Sequence, residues 1–430
     1  MRKILYIIPL FIFSFTFTGG PPSGWYQQFV PDVEGRQIVD MTFTDSLTGY
    51  IITSRLSLTD SSYVLKTTNG GDNWNVNNVD SGFIYKKIQF IDQNTGYIGG
   101  THLIKTTNGG NNWFTISTFL YMEDLFASNE DTMWYAKGES LTGGVFRTTN
   151  GGINWTQQLN LGSLNPARIY MYNSSTGYIS NNSGTYLRRT TNSGVNWEVI
   201  PGENGFSDIE FIDDNTGWKA YGNMKKTTNG GLNWTTQILP DGGPIIVTTM
   251  DKFSVINSDT IWGVGGYAST SLGARGILYR TTNGGENWYY QIPDSNINIF
   301  KYYHIQFTDN KKGWAYSPST GIHTKIGGDS TFTNIHQLSS EIPSEYILYQ
   351  NYPNPFNPTT NINYELRIKS KVKLTIYDIS GRTVQVLVNH LQAPGMYQYT
   401  FNGADITSGI YFYKLETENY TDTKKMMLVK

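Results

Sequence analysis

Short runs of apolar and β-prone residues alternate with turn-forming clusters over most of this chain. In residues 208–238 the runs IEFI, GWKAY, MKKT and NWTTQI are separated by DDNTG, a GN pair and TNGG. Short runs of this kind, bounded by Gly, Asn and Asp, predict β-strands joined by tight turns. The segment is therefore predicted to be a four-stranded antiparallel meander.

One octet, TTNGGxNW with a single variant TTNSGVNW, occurs six times. Its asparagine and tryptophan positions are Asn69 and Trp74, Asn108 and Trp113, Asn150 and Trp155, Asn192 and Trp197, Asn229 and Trp234, and Asn283 and Trp288. Successive asparagines are 37 to 42 residues apart, except for a last interval of 54. A period of about 40 residues is typical of propeller blades.

The octet has the composition of a turn that is fastened by its own side chains. In the fifth copy, the side-chain oxygen of Asn229 is expected to accept backbone N–H bonds, and Gly230 or Gly231 to supply a positive φ. Trp234 is expected to bury its ring between neighbouring sheets. These residues are therefore predicted to be structural.

A second signature, F-x-D-x-x-x-G-Tyr/Trp, is associated with the octets. It occurs at 43–50, 90–97, 171–178, 211–218 and 307–314, with weaker versions that end at Trp134 and Trp262. Seven such units predict an all-β, seven-bladed β-propeller over residues 24–335. The Asp residues of this turn are expected to cap it.

Seven units but only six full octets leave the last blade incomplete, near 323–332. The stretch Trp25-Tyr26-Gln27-Gln28 resembles the strand that follows an octet, as in Trp155-Thr156-Gln157-Gln158. We therefore expect the N-terminal strand to complete the seventh blade. The alternative is that residues 332–334 supply that strand.

The octet resembles the Asp-box of BNR-type repeats, with Asn in place of Asp. Together with the second signature, it is similar to the Ycf48/Hcf136 family of photosystem II assembly factors and related propellers. The resemblance covers about residues 24–335 and implies a fold, not a function.

The two ends of the chain predict export. Residues 1–20 have Arg2 and Lys3, then an apolar run from Ile4 to Phe17, then small or polar residues, which is the order of a signal peptide. The run is shorter than the roughly 18 apolar residues of a membrane span, so the mature chain is expected to have no transmembrane segment. Residues 336–348 are predicted to be a linker.

Residues 349–430 alternate apolar and polar positions between turn clusters, which predicts a small Ig-like β-sandwich. The motifs YPNPFNPTT, IYDISGR, SGIYFYKL and KKMMLVK resemble the type A sorting domain of the type IX secretion system. The matching residues are Pro353, Pro355, Gly381, Gly409, Lys424 and Lys430. The resemblance implies handling by the type IX machinery and its sortase, in a Gram-negative bacterium of the Bacteroidota or a relative, and a secreted or outer-membrane surface location.

Composition excludes several classes of function. The net charge is -2 and the sequence has no block of Lys or Arg, so nucleic acid is not an expected partner. The sequence has no cysteine, and its five histidines lack metal-ligand spacing. No cofactor, metal or catalytic residue is therefore assigned.

Two enzymatic alternatives remain, both glycoside hydrolases. A sialidase-like enzyme needs an arginine cluster, but several arginines here, such as Arg147, Arg189 and Arg280, lie beside octets, where a structural role explains them. A xyloglucanase-like enzyme places its catalytic aspartates on two facing propellers, whereas only one propeller is predicted in this chain. Neither alternative matches the residues as well as a non-enzymatic protein does.

Strand direction alternates within a blade, so the octet and the second signature must lie on one face of the propeller. The opposite face carries the connections that vary, at 54–62, 136–144, 240–252 and 263–276, and function is sought there. Candidate contacts are Arg55, Glu139, Tyr267 and Arg275. The chain is thus expected to be a secreted or surface binding or scaffold propeller for an unknown extracellular glycan or protein.

Overall fold

The structure is a computed structural model, and its described residues form strands and turns without an α-helix. These residues are 24–31, 33–57, 60–81, 83–138, 142–162, 166–181, 183–242, 244–270, 273–294, 296–328, 335–339, 343–392, 394–404 and 406–430. The predicted signal peptide and Glu139 lie outside them. Among the described residues, no helix is long and apolar enough to cross a membrane.

Residues 24–328 form seven four-stranded antiparallel sheets, here called blades 1 to 7. Six of them take their strands from consecutive segments. Blade 1 has β2 (Ile38–Phe43), β3 (Gly49–Thr53), β4 (Ser61–Thr67) and β5 (Asn75–Ser81). Blade 2 has β6 (Tyr85–Phe90), β7 (Gly96–Gly100), β8 (Leu103–Thr106) and β9 (Phe114–Ser117). Blade 3 has β10 (Met122–Ala127), β11 (Met133–Lys137), β12 (Gly144–Thr148) and β13 (Thr156–Asn160).

The next three blades follow the same order. Blade 4 has β14 (Pro166–Met171), β15 (Gly177–Asn181), β16 (Leu187–Thr190) and β17 (Glu198–Val199). Blade 5 has β18 (Asp208–Phe211), β19 (Gly217–Tyr221), β20 (Asn223–Thr227) and β21 (Thr235–Gln237). Blade 6 has β22 (Ile245–Val255), β23 (Ile261–Thr270), β24 (Gly273–Thr281) and β25 (Tyr289–Gln291).

Blade 7 joins the two ends of the propeller. Its β26 (His304–Phe307), β27 (Gly313–Tyr316) and β28 (Thr320–Thr324) are completed by β1 (Tyr26–Phe29), which pairs antiparallel with β28. Blade 7 also contacts blade 1, because the Gln306 side chain bonds both the N–H and the carbonyl of Phe43, at 2.8 and 2.9 Å. The predicted closure by the N-terminal strand is therefore confirmed. The alternative strand, residues 332–334, lies outside the described residues.

The seventh octet is divided between the two ends of the chain. Thr324 Oγ1 accepts the Gly328 N–H at 2.7 Å, as the threonine does in the six full octets, although Ile326 replaces the asparagine. Trp25 is 2 % exposed, and its Nε1 donates to Gln291 Oε1 of blade 6 at 2.8 Å. Trp25 therefore supplies the aromatic ring that the C-terminal part of this octet lacks.

Hydrophobic clusters lie between neighbouring blades. One joins Tyr50 and Ile52 of blade 1 to Tyr85 and Ile98 of blade 2. Another joins Trp25 to Trp262 of blade 6, with ring centroids 5.6 Å apart. Each blade buries apolar side chains against its neighbours. The packing between blades therefore stabilises the propeller as a whole.

The insertion in blade 6 differs from the predicted loops. Residues 245–255, 261–270 and 273–281 form the lengthened strands β22, β23 and β24, which are longer than the strands of the other blades. The β-branched run Ile245-Ile246-Val247-Thr248-Thr249 favours this outcome.

The C-terminal part is a two-sheet β-sandwich with one hydrophobic core. One sheet has the order β29 (Ile335–Ser339), β34 (Gly395–Asn402), β31 (Thr359–Leu366) and β30 (Ile347–Leu348). The other has the order β33 (Thr383–Gln392), β32 (Ser370–Tyr377), β35 (Gly409–Glu416) and β36 (Thr421–Leu428).

The segment predicted as a linker contributes to this sandwich. Strand β29 spans residues 335–339 and pairs antiparallel with β34, and β30 pairs with β31. Backbone pairing with an existing sheet edge does not require a long alternating pattern, which is why these short strands were missed in the sequence.

Candidate binding face and central channel

The octets form turns that are held by their own side chains. The asparagine Oδ1 accepts the N–H four residues later in all six, as from Asn233 to Asn229 at 3.0 Å. The first threonine accepts the N–H of the second glycine, as from Gly231 to Thr227 at 3.0 Å. Gly230 and Gly231 have φ values of 65 and 75°. The asparagine contact and the positive φ values are those that the sequence predicted, whereas the threonine contact was not predicted.

The turn between the first two strands of each blade is capped in the same way. Asp45 Oδ1 accepts the N–H groups of Leu47 and Thr48 at 2.7 and 2.8 Å. Asp or Asn does the same in the other six blades. In Asp92 and Asp213 these backbone hydrogen bonds lower the pKa of the carboxyl. The repeated aspartates are therefore turn caps.

Both kinds of turn lie on the same face, called here the box face. In every blade an octet N–H donates to a carbonyl of the other turn, as from Gly70 to Leu47 at 2.8 Å. The opposite face, called here the variable face, carries the connections between strands 2 and 3 and between successive blades. The predicted division of the two faces is confirmed.

Side chains of one blade also bond the octet of the next blade. The aromatic residue of the second signature donates to an octet carbonyl, as Tyr50 does to Gly109 at 2.9 Å and Trp314 does to Gly70 at 2.8 Å. A glutamine three residues after the octet tryptophan does likewise: Gln237 Nε2 donates to the Gly284 carbonyl at 3.0 Å. This glutamine was visible in the sequence as W-x-x-Q but was not assigned this role.

The four residues predicted as ligand contacts differ in their positions and exposure. Arg55 is half-buried in the connection between β3 and β4, and Tyr267 is half-buried on β23, with its ring 4.7 Å from that of Phe300. Glu139 lies outside the described residues. Arg275 is buried on β24, and its guanidinium donates to the carbonyls of Pro293 and Ile297 at 2.7 and 2.5 Å. The expectation that Arg275 contacts a ligand is therefore corrected, because its donors hold the connection between blades 6 and 7.

Two other connections are held by buried cations in the same way. Arg36 donates to the Val33 carbonyl at 2.9 Å and pairs with Glu34 at 2.8 Å. Lys219 pairs with Glu203 at 3.0 Å in the connection between blades 4 and 5. Burial lowers the pKa of Lys219 to about 8, against the opposing effect of Glu203. These three connections are thus held by buried side chains, which would reduce the entropy lost if a ligand bound there.

Seven charged or titratable residues occupy equivalent positions on the innermost strands of the seven blades. Each lies five residues before the Asp or Asn that caps the turn between the first two strands. They are called here the channel ring: Asp40, Lys87, Asp124, Arg168, Asp208, Lys252 and His304. In five blades a register shift immediately precedes the ring residue. Such bulges change the direction of a side chain.

The charges of the channel ring alternate from blade to blade. Lys87 Nζ lies 3.2 Å from the Asp40 carboxylate, and Lys252 Nζ lies 3.3 Å from Asp208. Each carboxylate also accepts a backbone N–H from the next blade. The donor is the residue that directly follows the ring residue of that blade, as Ile169 donates to Asp124 at 3.0 Å. For Lys87, burial lowers the pKa, but Asp40, Asp124 and Asp208 together raise it above the ordinary lysine range. The ring is therefore neutral in sum, and two of its neighbouring pairs, Asp40 with Lys87 and Asp208 with Lys252, form ion pairs.

Strict alternation cannot close on seven positions, and the exception is His304. It lies between Lys252 of blade 6 and Asp40 of blade 1. Burial lowers the pKa of His304 to about 4, with Lys252 and Lys87 acting in the same direction and Asp40 opposing them. A neutral imidazole at neutral pH avoids placing two like charges side by side.

The pKa of His304 predicts a loss of stability in mild acid. The native value lies below the ordinary value of about 6.5, so between these values the unfolded chain binds more protons than the native chain. Stability that is present above pH 6.5 is therefore lost as the pH falls towards 4. Burial lowers the pKa of His323 as well, so His304→Gln should reduce this slope without removing it. Thermal melting between pH 7 and pH 5 checks the result, and equal slopes in the two proteins would contradict it.

Two pairs of exposed aromatic side chains also lie on the variable face. Phe119 and Tyr121 are 68 % and 45 % exposed in the connection from blade 2 to blade 3. Phe300 and Tyr303 are 54 % and 42 % exposed in the connection from blade 6 to blade 7. The sequence did not indicate them, because Phe and Tyr are abundant throughout the chain and no motif marks these four.

The structure places each of the sorting-domain residues in the sandwich. The YPNPFNP segment lies along the chain terminus, since the Phe356 N–H donates to the Met427 carbonyl at 2.9 Å. Pro353 and Pro355 belong to this segment, and Lys424 lies on β36. Lys430 Nζ donates to the Ala404 carbonyl at 2.6 Å. Gly381 has a φ of 77° in the turn after β32, and Gly409 begins β35.

Comparison with known proteins identifies the tail and the fold. Residues 350–430 match the family of secretion system C-terminal sorting domains. The chain thus carries a type IX sorting tail, as predicted, and is a secreted protein. No curated protein matches the sequence significantly.

Three solved propeller structures resemble the chain. YCF48 bound to D1 peptide has 17 % identity, a TM-score of 0.54, and coverage of 71 % of this chain and 97 % of its own. YCF48 from Cyanidioschyzon merolae has 15 % identity, a TM-score of 0.52, and coverage of 70 % and 98 %. PorZ of Porphyromonas gingivalis, described as an essential bacterial surface component of the type-IX secretion system, has 13 % identity, a TM-score of 0.50, and coverage of 92 % and 59 %. At these identities the likeness shows the propeller fold alone.

Proposed function

We propose that this protein is an extracellular binding propeller, exported through the type IX secretion system by its C-terminal tail and exposed at the bacterial surface or released. The predicted signal peptide would take it across the inner membrane first. The tail would then be recognised by the secretion machinery and removed or exchanged for an anchor by a sortase.

The difference between the two faces supports binding. On the box face, octet side chains and carbonyls are used in hydrogen bonds within and between blades. On the variable face, connections held by Arg36, Lys219 and Arg275 expose aromatic and charged side chains. A fixed surface with exposed aromatic groups has the properties of a recognition site.

A matched pair of substitutions tests which face binds. Leu56 is exposed on the variable face in blade 1, and Leu232 is exposed in the octet of blade 5. The full-length protein, immobilised, is incubated with the extracellular fraction of the producing bacterium. Leu56→Asp should reduce the captured material severalfold, and Leu232→Asp should not. Equal capture by both variants and the original protein would contradict binding through the variable face.

One observation favours the runner-up, a glycoside hydrolase. Burial raises the pKa of Glu210 to about 8, and Asp208, two residues before it, acts in the same direction. The hydrogen bond that Glu210 accepts from the Val255 N–H of the next blade opposes them. A carboxyl that stays protonated at neutral pH is a property of a general acid. Release of reducing sugar from a panel of polysaccharides, lost in Glu210→Gln, would establish this activity. Absence of turnover would favour the binding function.

A further inference from the structure

The aromatic pair between blades 2 and 3 has an unusual backbone. Phe119 and Tyr121 have φ values of 57 and 53°, in the left-handed region that bulky residues rarely adopt. The intervening Leu120 is held in place, because its N–H donates to the Thr101 carbonyl at 2.9 Å. Such a conformation is unfavourable for residues other than glycine. The backbone is thus strained at two residues whose side chains remain exposed to solvent.

Charged side chains flank this aromatic pair. Lys137 Nζ lies 5.7 Å from the centroid of the Tyr121 ring. Beside them, Lys86 and Glu123 form an ion pair at 3.2 Å. An exposed aromatic ring next to an ammonium group and a carboxylate offers a flat apolar surface together with hydrogen-bond donors and acceptors.

The second aromatic pair has the same composition. Lys301 Nζ lies 5.3 Å from the centroid of the Tyr303 ring and 2.7 Å from the Asp251 carboxylate. Phe300 packs against Tyr267 at 4.7 Å. The two sites, called here the aromatic platforms, therefore combine the same groups although their sequences differ.

The positions of the aromatic platforms indicate the shape of a ligand. One lies between blades 2 and 3, and the other between blades 6 and 7. In a ring of seven blades these boundaries are on opposite sides of the channel. A ligand that contacts both must be extended and must cross the channel mouth.

We infer that the aromatic platforms bind an extended, uncharged polysaccharide across the variable face. This inference rests on the proposed binding function and names its ligand class. The weakly positive C–H face of a pyranose packs on the negative face of an aromatic ring, and its hydroxyls both donate to carboxylates and accept from ammonium groups. A protein partner fits less well, because interface cores are depleted of charged residues, whereas ion pairs lie beside both platforms.

Soluble oligosaccharides test this inference on the full-length protein. Calorimetric titration uses the disaccharide and hexasaccharide of uncharged β-glucan, xylan and mannan. At least one hexasaccharide should bind, and more tightly than its disaccharide. Phe119→Ala and Tyr303→Ala should each weaken that binding by about tenfold, or about 1.4 kcal/mol. Phe114→Ala is the control, since Phe114 is 50 % exposed on the outer strand of the same blade 2.

Three outcomes would overturn the inference: no hexasaccharide binds, neither platform variant weakens the binding, or Phe114→Ala weakens it equally. If in addition Leu56→Asp still reduces capture from the extracellular fraction, the proposed binding function stands and its ligand is of another class. If capture is also unaffected, both proposals fail.

Discussion

Trp25→Ala should lower the melting temperature of the propeller by on the order of 10 °C. Truncation of a buried Trp costs about 3–5 kcal/mol, a large part of a typical net stability of about 5–15 kcal/mol. Trp25 also bonds Gln291 and packs against Trp262, so its loss removes a contact between blades 6 and 7. Calorimetry or fluorescence melting measures the change.

Deletion of residues 21–30 should destabilise more than Trp25→Ala, because it also removes the hydrogen bonds between β1 and β28. Tyr26→Ala is a suitable control, since Tyr26 is exposed on the same strand. Removal of residues 335–430 should leave the propeller melting nearly unchanged and abolish only secretion. A deletion of 21–30 that melts like the full-length protein would show that closure by β1 does not stabilise the ring.

Reversal of a charge in the channel ring should also lower the free energy of unfolding. Lys87→Asp places a carboxylate beside Asp40 and near Asp124 where an ammonium group was. Loss of a buried partner costs about 3–5 kcal/mol. Since Lys87 is about one-third exposed, solvent screening reduces the expected cost to about 2–3 kcal/mol. Urea unfolding of Lys87→Asp and of the original protein measures the difference.

Two variants separate the ring from a general charge effect. Lys86→Asp changes the neighbouring residue, whose more exposed ion pair with Glu123 is worth about 1 kcal/mol or less. Asp40→Asn, combined with Lys87→Asp, removes the like charge and keeps an oxygen for the Ile88 N–H. The double variant should therefore recover part of the lost stability. If Lys86→Asp and Lys87→Asp were equally destabilised, the ion pairs of the channel ring would stabilise the propeller no more than a surface ion pair does.

The architecture was predictable because its determinants recur. The octet repeats the same asparagine and second glycine in all six copies, and the first glycine in five of them, so the copies reveal one geometry. The closure was also accessible, since Trp25 to Gln28 repeat the W-x-x-Q pattern of complete blades. These local patterns correspond to local hydrogen bonds.

The channel ring was not predictable in the same way. Its positions hold Asp, Lys, Arg and His, so no motif marks them, and their relation appears only when the innermost strands are brought together. Arg275 was wrongly expected to face a ligand, because a sequence does not show which carbonyls are close to a guanidinium. The aromatic platforms depend on the exposure and backbone conformation of residues such as Phe119, which composition does not reveal.

We propose that the variable face, and not the box face, is the functional surface. Hydrogen–deuterium exchange of the full-length protein, with and without the polysaccharide fraction of the extracellular medium, distinguishes the two faces. We expect slower exchange in the connections at 117–121 and 292–303, on opposite sides of the channel, and unchanged exchange in the six octets. Slower exchange in the octets, with the two connections unchanged, would assign binding to the box face instead.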